Sequence, residues 1–164
     1  MILTTHSLIG VALTHKSIQY SIIFLIALGS HYLFDMIPHW HYRTPSIKEA
    51  VNAPFGKRTL RVSSAPYDEI MRIILDLTVG LGLSLYFFSG SPMVIVVGVA
   101  GAVLPDLLVG FGRFYPIRVL VLHDRFHKWI HARHMLDDWP LIGITSQIII
   151  AAILAGGVVA NLHY

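Results

Sequence analysis

Histidine and aspartate recur in this chain inside or at the mouth of apolar segments: His6; His31-x3-Asp35-x3-His39; Asp76; Asp106; and His123-x3-His127-x3-His131-x2-His134. Imidazole nitrogen and carboxylate oxygen are together the ligand set of zinc, manganese and iron. An ionisable group at membrane depth is costly, so where one persists it normally faces a bundle interior and serves a function. The pattern points to a divalent-metal centre inside a membrane-embedded helical bundle.

Spacing sharpens that expectation. His31 and Asp35 stand four residues apart, stacked on one helical face and able to bind one ion or adjacent ions. Along 119–135, at about 100° per residue, His123, His127, His131 and His134 fall within an arc of roughly 80°. Val119, Leu122, Phe126, Trp129 and Ile130 lie beside that arc, and Arg125 and Lys128 point away. Such a helix lies in the membrane interface with its histidine edge turned toward the bundle mouth.

The expected metal ligands are His6, His31, Asp35, His39, Asp106, His127 and His131, and Asp76 is expected to bridge, orient a histidine or act as general base. Each residue also has a purely structural reading. His6 could hydrogen-bond a neighbouring helix, Asp76 could pair with Arg72, and Asp106 could satisfy backbone freed by Pro105. His39 and His41 flank Trp40 at the interface, where anchoring is the commoner role, and His41 is read as such an anchor.

The elements that must position these groups follow from composition. The chain has 164 residues, 55% hydrophobic and 13% charged. Water-soluble domains carry about 25% charged residues, so residues 1–164 are read as a single integral-membrane helical domain, an all-α polytopic bundle. Residues 2–14 form a short apolar helix, read as retained rather than as a cleaved leader. Ser21 to Pro38, Tyr67 to Phe88, Met93 to Val109 and Pro140 to Ala160 follow, giving about five transmembrane helices besides the interfacial one. The polar stretch 39–66 reads as a loop. The absence of cysteine excludes disulfides, thiolate metal sites and a cysteine nucleophile.

Charge supplies an orientation. Loop 39–66 carries Arg43, Lys48, Lys57, Arg58 and Arg61, and segment 110–139 carries Arg113, Arg118, Arg125, Lys128 and Arg133. Two spans separate these regions, so both face one side, which the positive-inside rule makes cytoplasmic, with the N-terminus inside. The net charge is +3, with the basic residues concentrated in these two loops, and reads as topology, with no nucleic-acid partner implied. His6, His31, Asp35, Asp76 and Asp106 then all fall at inner-leaflet depth.

These motifs resemble those of a group of small bacterial and archaeal integral-membrane proteins, the membrane-bound metal-dependent hydrolases, some of them SOS-regulated inner-membrane proteins. The resemblance rests on Thr5-His6, on His31-Tyr-Leu-Phe-Asp35 with Met-Ile-Pro-His39, on Leu104-Pro105-Asp106 and on Phe126-His127-Lys-Trp-Ile-His131, which together span nearly the whole chain. The family's proline motif carries a further acidic residue two positions after the aspartate, where this chain has Leu108. The HxxxD spacing also looks like that of zinc-dependent phospholipase C enzymes. The resemblance implies a prokaryotic inner-membrane location and hydrolysis.

Residue chemistry alone leaves several functions open. One is a hydrolase at the cytoplasmic face using one or two zinc ions, or manganese or iron, on a lipid or phosphate-containing substrate. A metal-ion or proton transporter would use the same cluster as a relay, yet the outer half offers only Thr78, Ser84 and Ser146. A third is a non-catalytic protein whose metal ties helices together, and a di-iron site fits the same ligands. No HExxH helix, P-loop, GxSxG elbow or dinucleotide fingerprint is present.

Overall fold

A computed structural model describes residues 2–17, 19–41, 44–45, 64–115, 117–132 and 136–160. These are all-helical: α1 (Leu3–Thr14), α2 (Tyr20–Asp35), α3 (Ser64–Phe87), α4 (Pro92–Phe114), α5 (Arg118–Ile130) and α6 (Pro140–Ala160). Within α3, α4 and α6, the stretches Tyr67–Phe87, Pro92–Gly112 and Pro140–Val158 are long and apolar enough to cross a membrane. The 12 residues of α1 reach only about 18 Å, short of a hydrocarbon core about 30 Å thick.

That short helix is the centre of the bundle. Most of its side chains are buried, and α2, α3, α4 and α6 all pack on it. Its neighbours alternate in direction. His6 stacks on His31, and a Cβ on Gly10 would meet both Ala27 and Ala102, so α2 and α4 run antiparallel to it. Thr4 bonds Asp76 while His15 meets Phe88, so α3 runs parallel. Ile2 bonds Gln147 and Ile9 clusters with Ala151, which makes α6 parallel too. The starts of α1, α3 and α6 and the ends of α2 and α4 therefore meet at one end of the bundle.

The burial pattern is inverted relative to a water-soluble protein. Leu25, Leu33, Leu75, Leu141 and Ile153 are exposed on the outside, whereas Thr5, His6, Ser7, His31, Asp35 and Gln147 are buried within. Apolar surface on that scale is stable against lipid rather than water. Away from the polar end, Val11, Ala12, Phe88, Ile95 and Val99 form an apolar core that Leu3 and Val103 extend toward that end. The hydroxyls of Thr14 and Ser84 are absorbed by carbonyls of their own helices.

Several boundaries differ from the sequence reading. α2 stops at Asp35 rather than Pro38, because a residue before proline is pushed out of the α conformation and Ile37 closes a tighter turn onto Phe34. α3 begins at Ser64, with Pro66 in its first turn, where a missing N–H costs nothing. α4 continues past Val109 to Phe114, and its Gly112 lets Leu120 of α5 approach closely. The basic loop residues Arg43, Lys48, Lys57, Arg58 and Arg61 lie outside the described residues.

Close approach of α2 to α4 depends on Gly101, where an added Cβ would sit 2.6 Å from the Phe24 backbone oxygen. Gly101→Ala is therefore expected to cost about 1–3 kcal/mol by overpacking. Gly82→Ala, which meets nothing within 4 Å, should be neutral or slightly stabilising. Thermal unfolding of the two variants in detergent checks the contrast.

Candidate metal centre

The last turn of α2 supplies the hub. His31 and Asp35 are one helical turn apart, and the close packing of α2 on α4 brings His31 Nδ1 within 2.7 Å of the Ala102 carbonyl oxygen. A carbonyl only accepts, so Nδ1 carries the proton and Nε2 of the neutral ring presents its lone pair. That lone pair faces Asp35 Oδ2 at 3.1 Å and His127 Nε2 at 3.1 Å. Acceptor facing carboxylate at this distance calls for a cation or an extra proton between them. A backbone carbonyl fixing the tautomer of a histidine is also the usual outer support of a metal ligand.

Asp106 completes this group from α4, with Oδ1 3.5 Å from His127 Nε2 and 3.8 Å from His31 Nε2. One ligand atom from each of His31, Asp35, Asp106 and His127 lies within 4.8 Å of all the others. Two nitrogens and two carboxylate oxygens are a suitable donor set for zinc, manganese or iron. Asp35 is 1% exposed and Asp106 29%, so the quartet is closed on the bundle side and open at Asp106.

A second constellation adjoins it. His39, His41 and His131 bring one ring nitrogen each within the same 4.8 Å limit. His131 ends up here because α5 stops at Ile130 and the chain turns extended at His131, instead of continuing helically to 135. Ala132 N then donates to the Asp35 carbonyl and Leu136 N to the His39 carbonyl, which ties the two histidine segments together. Burial pushes His39 down to about 2 and His131 down to about 4, and lowers His41 as well. All three rings are thus neutral near pH 7, the form in which imidazole ligates metal.

Of the expected ligands, His6, His31, Asp35, His39, Asp106, His127 and His131 all gather at this end. His6 stacks on His31 at a centroid distance of 4.0 Å and holds Nε2 3.2 Å from Asp35 Oδ1. Asp76 has a different place. Its Oδ2 accepts from the backbone N–H of Leu3 and Thr4 at 2.6 and 3.3 Å, and its Oδ1 accepts from the Thr4 hydroxyl at 2.6 Å. Asp76 thereby caps the start of α1 from a neighbouring helix, satisfying donors that no helix can satisfy internally, and belongs to neither metal-ligand group. His123 meets the Tyr32 hydroxyl at 3.0 Å, and His134 lies outside the described residues.

Sequence reasoning missed three residues. His41, read as an anchor, is a member of the triad. Asp137 stands behind it, with Oδ1 3.4 Å from His41 Nδ1. Gln147, fully buried on α6, accepts from Ile2 N and donates to the carbonyls of Trp40 and Gly143. The His-Trp-His alternation held a signal for His41, since residues two apart share a side once the chain is extended.

No protein-family model, curated protein or solved structure matches this chain.

The placement of Asp76 generates a contrast. His31→Ala and Asp35→Ala are each expected to weaken metal binding at least about tenfold. Asp76→Ala should retain the metal but lose about 1–3 kcal/mol of stability through unsatisfied donors at the start of α1. Elemental analysis beside thermal unfolding separates the two effects.

Proposed function

We propose that this protein is a metal-dependent hydrolase whose site sits at the membrane surface, with His31, Asp35, Asp106 and His127 holding the catalytic ion. The observation that carries the reading is the His31 side chain: its Nδ1 proton is committed to the Ala102 carbonyl, which leaves Nε2 facing the Asp35 carboxylate and His127. Zinc is the favoured ion, with manganese and iron suited to the same donors. When bound, such an ion supplies Lewis acidity and a water made acidic near neutral pH.

The chain's own residues divide the remaining work. Asp35 and His31, enclosed among α1, α2 and α4, hold their geometry and exclude bulk water. Asp106 is the half-buried carboxylate of the quartet; with Oδ1 turned to His31 and His127, its other oxygen, Oδ2, is the one to exchange a proton with substrate, the role that Asp76, taken up by α1, does not fill. Substrate reaches this side from the interface, where α5 exposes Val119, Leu122, Phe126 and Trp129. A lipid or lipid-linked phosphate or ester fits that approach, and the basic residues of loop 39–66 suit an anionic headgroup.

The topology that goes with this reading has five membrane-inserted helices and α5 in the interface, with the metal end cytoplasmic by the distribution of basic residues. The likeness of the four motifs to membrane-bound metal-dependent hydrolases supports the same reading and would put the protein in a prokaryotic inner membrane. The transporter alternative lacks support from the opposite end of the bundle. There the described core is apolar and its hydroxyls are held by their own helices.

Hydrolysis of chromogenic phosphodiester, phosphomonoester and carboxylic-ester probes in mixed micelles tests the reading. Turnover of one class should vanish with chelator, return with zinc or manganese, and fall about 100-fold or more in Asp106→Asn. Metal-replete protein inert toward every class would remove the hydrolase reading. Unchanged turnover in Asp106→Asn would remove the proton-transfer role.

A further inference from the structure

Among the described residues, the quartet leaves one group of metal-type ligands unused. His39 Nε2 lies 3.1 Å from His41 Nε2, which lies 2.9 Å from His131 Nε2. We infer that His39, His41 and His131 form a second divalent-metal site, joined to the first through the Asp35 carboxylate. The inference builds on the proposed metal centre and makes it dinuclear.

Proton placement is the first argument. His39 Nδ1 donates to the Ile37 carbonyl at 2.6 Å, so its Nε2 carries a lone pair. His41 Nδ1 lies 3.4 Å from Asp137 Oδ1, and the same oxygen accepts from the His41 backbone N–H at 3.1 Å. A proton on His41 Nδ1 faces that carboxylate favourably, which leaves the His41 Nε2 lone pair directed into the triad. Two lone pairs then meet at 3.1 Å. A proton on His131 Nε2 could serve His41 but would leave His39 against it. A shared cation satisfies all three. Ligand atoms about 2.0–2.1 Å from one tetrahedral zinc ion lie roughly 3.3 Å apart, close to the 3.1 and 2.9 Å between His39 and His41 and between His41 and His131.

Asp35 is the second argument. Its Oδ2 is 3.1 Å from both His31 Nε2 and His127 Nε2 and 3.5 Å from His131 Nε2, while its Oδ1 is 3.5 Å from His39 Nε2. One carboxylate therefore touches ligands of both groups, as a bridge between two ions about 3.5–4 Å apart must. The second site is all-nitrogen apart from that bridge and suits zinc, whereas the quartet is half oxygen. Asp137 is a positioning residue that orients His41.

The test uses full-length protein in detergent, saturated with Zn²⁺, freed of excess by gel filtration and analysed for elements. Wild type and His15→Ala should hold about two equivalents, and His41→Ala and His127→Ala about one each. His41→Gln guards against a folding defect, and each variant is used only as a monodisperse, helical peak. Mn²⁺-loaded wild type should show a spin-coupled resonance spectrum that His41→Ala converts to that of an isolated ion. One equivalent in wild type, kept by His41→Ala and lost by His127→Ala, would overturn the second site and leave the quartet intact. One equivalent lost by both variants would mean a single shared ion and equally overturn the second site. No zinc in wild type would overturn the proposed metal centre itself.

Discussion

A carboxylate buried among apolar helices is the constraint on which this structure turns. Asp35 is 1% exposed, and an ionised carboxylate so placed is unstable unless paired and hydrogen-bonded. The chain meets that demand with imidazoles from several directions: His6 from α1, His31 from its own helix, His127 from α5, and His39 and His131 from the segments that follow α2 and α5. Neutral imidazoles alone do not balance a negative charge. A centre of this composition is stable with a cation or an additional proton in it.

The fold can be read as the scaffolding this centre needs. α1 is too short to span, yet it is the most enclosed helix, and its first turn brings His6 to Asp35. That turn would leave backbone donors unsatisfied at membrane depth, and side chains from two neighbours supply the acceptors: Asp76 of α3 to Leu3 and Thr4, and Gln147 of α6 to Ile2. Gln147 also reaches the Trp40 carbonyl, between the two triad histidines His39 and His41. The same contacts that terminate α1 hold the ligand-bearing segment after α2.

The site is asymmetric in a way that matters for chemistry. On one side lie the apolar core and the tight α2–α4 contact at Gly101; on the other, Asp106 and His41 are half-buried and α5 offers an apolar face. A structural ion has a closed shell, whereas a catalytic one keeps an accessible position. The half-buried edge of this cluster leaves Asp106 and His41 accessible, which is what the proposed hydrolase would require.

Much of this was legible in the residues themselves. An ionisable group in an apolar segment has few physical options, so His6, His31, Asp35, Asp106 and His127 stand out by type and position, and helical periodicity pairs His31 with Asp35 and puts α5 at the surface. Helix existence follows from apolar runs and proline stops with errors of a few residues. What the one-dimensional pattern could not contain was the partner of each polar group. Asp76 carries the same signature as Asp35, yet it caps a helix, because register along α3 brings it against Leu3 rather than against histidines. His41 carries the signature of an interfacial anchor, yet it faces His39 and His131, because α5 ends at Ile130 and the backbone turns. Asp137, in a polar turn, bears no mark at all until His41 lies beside it. Residue type limits what a side chain can do, and only packing in three dimensions decides which neighbour it does it with.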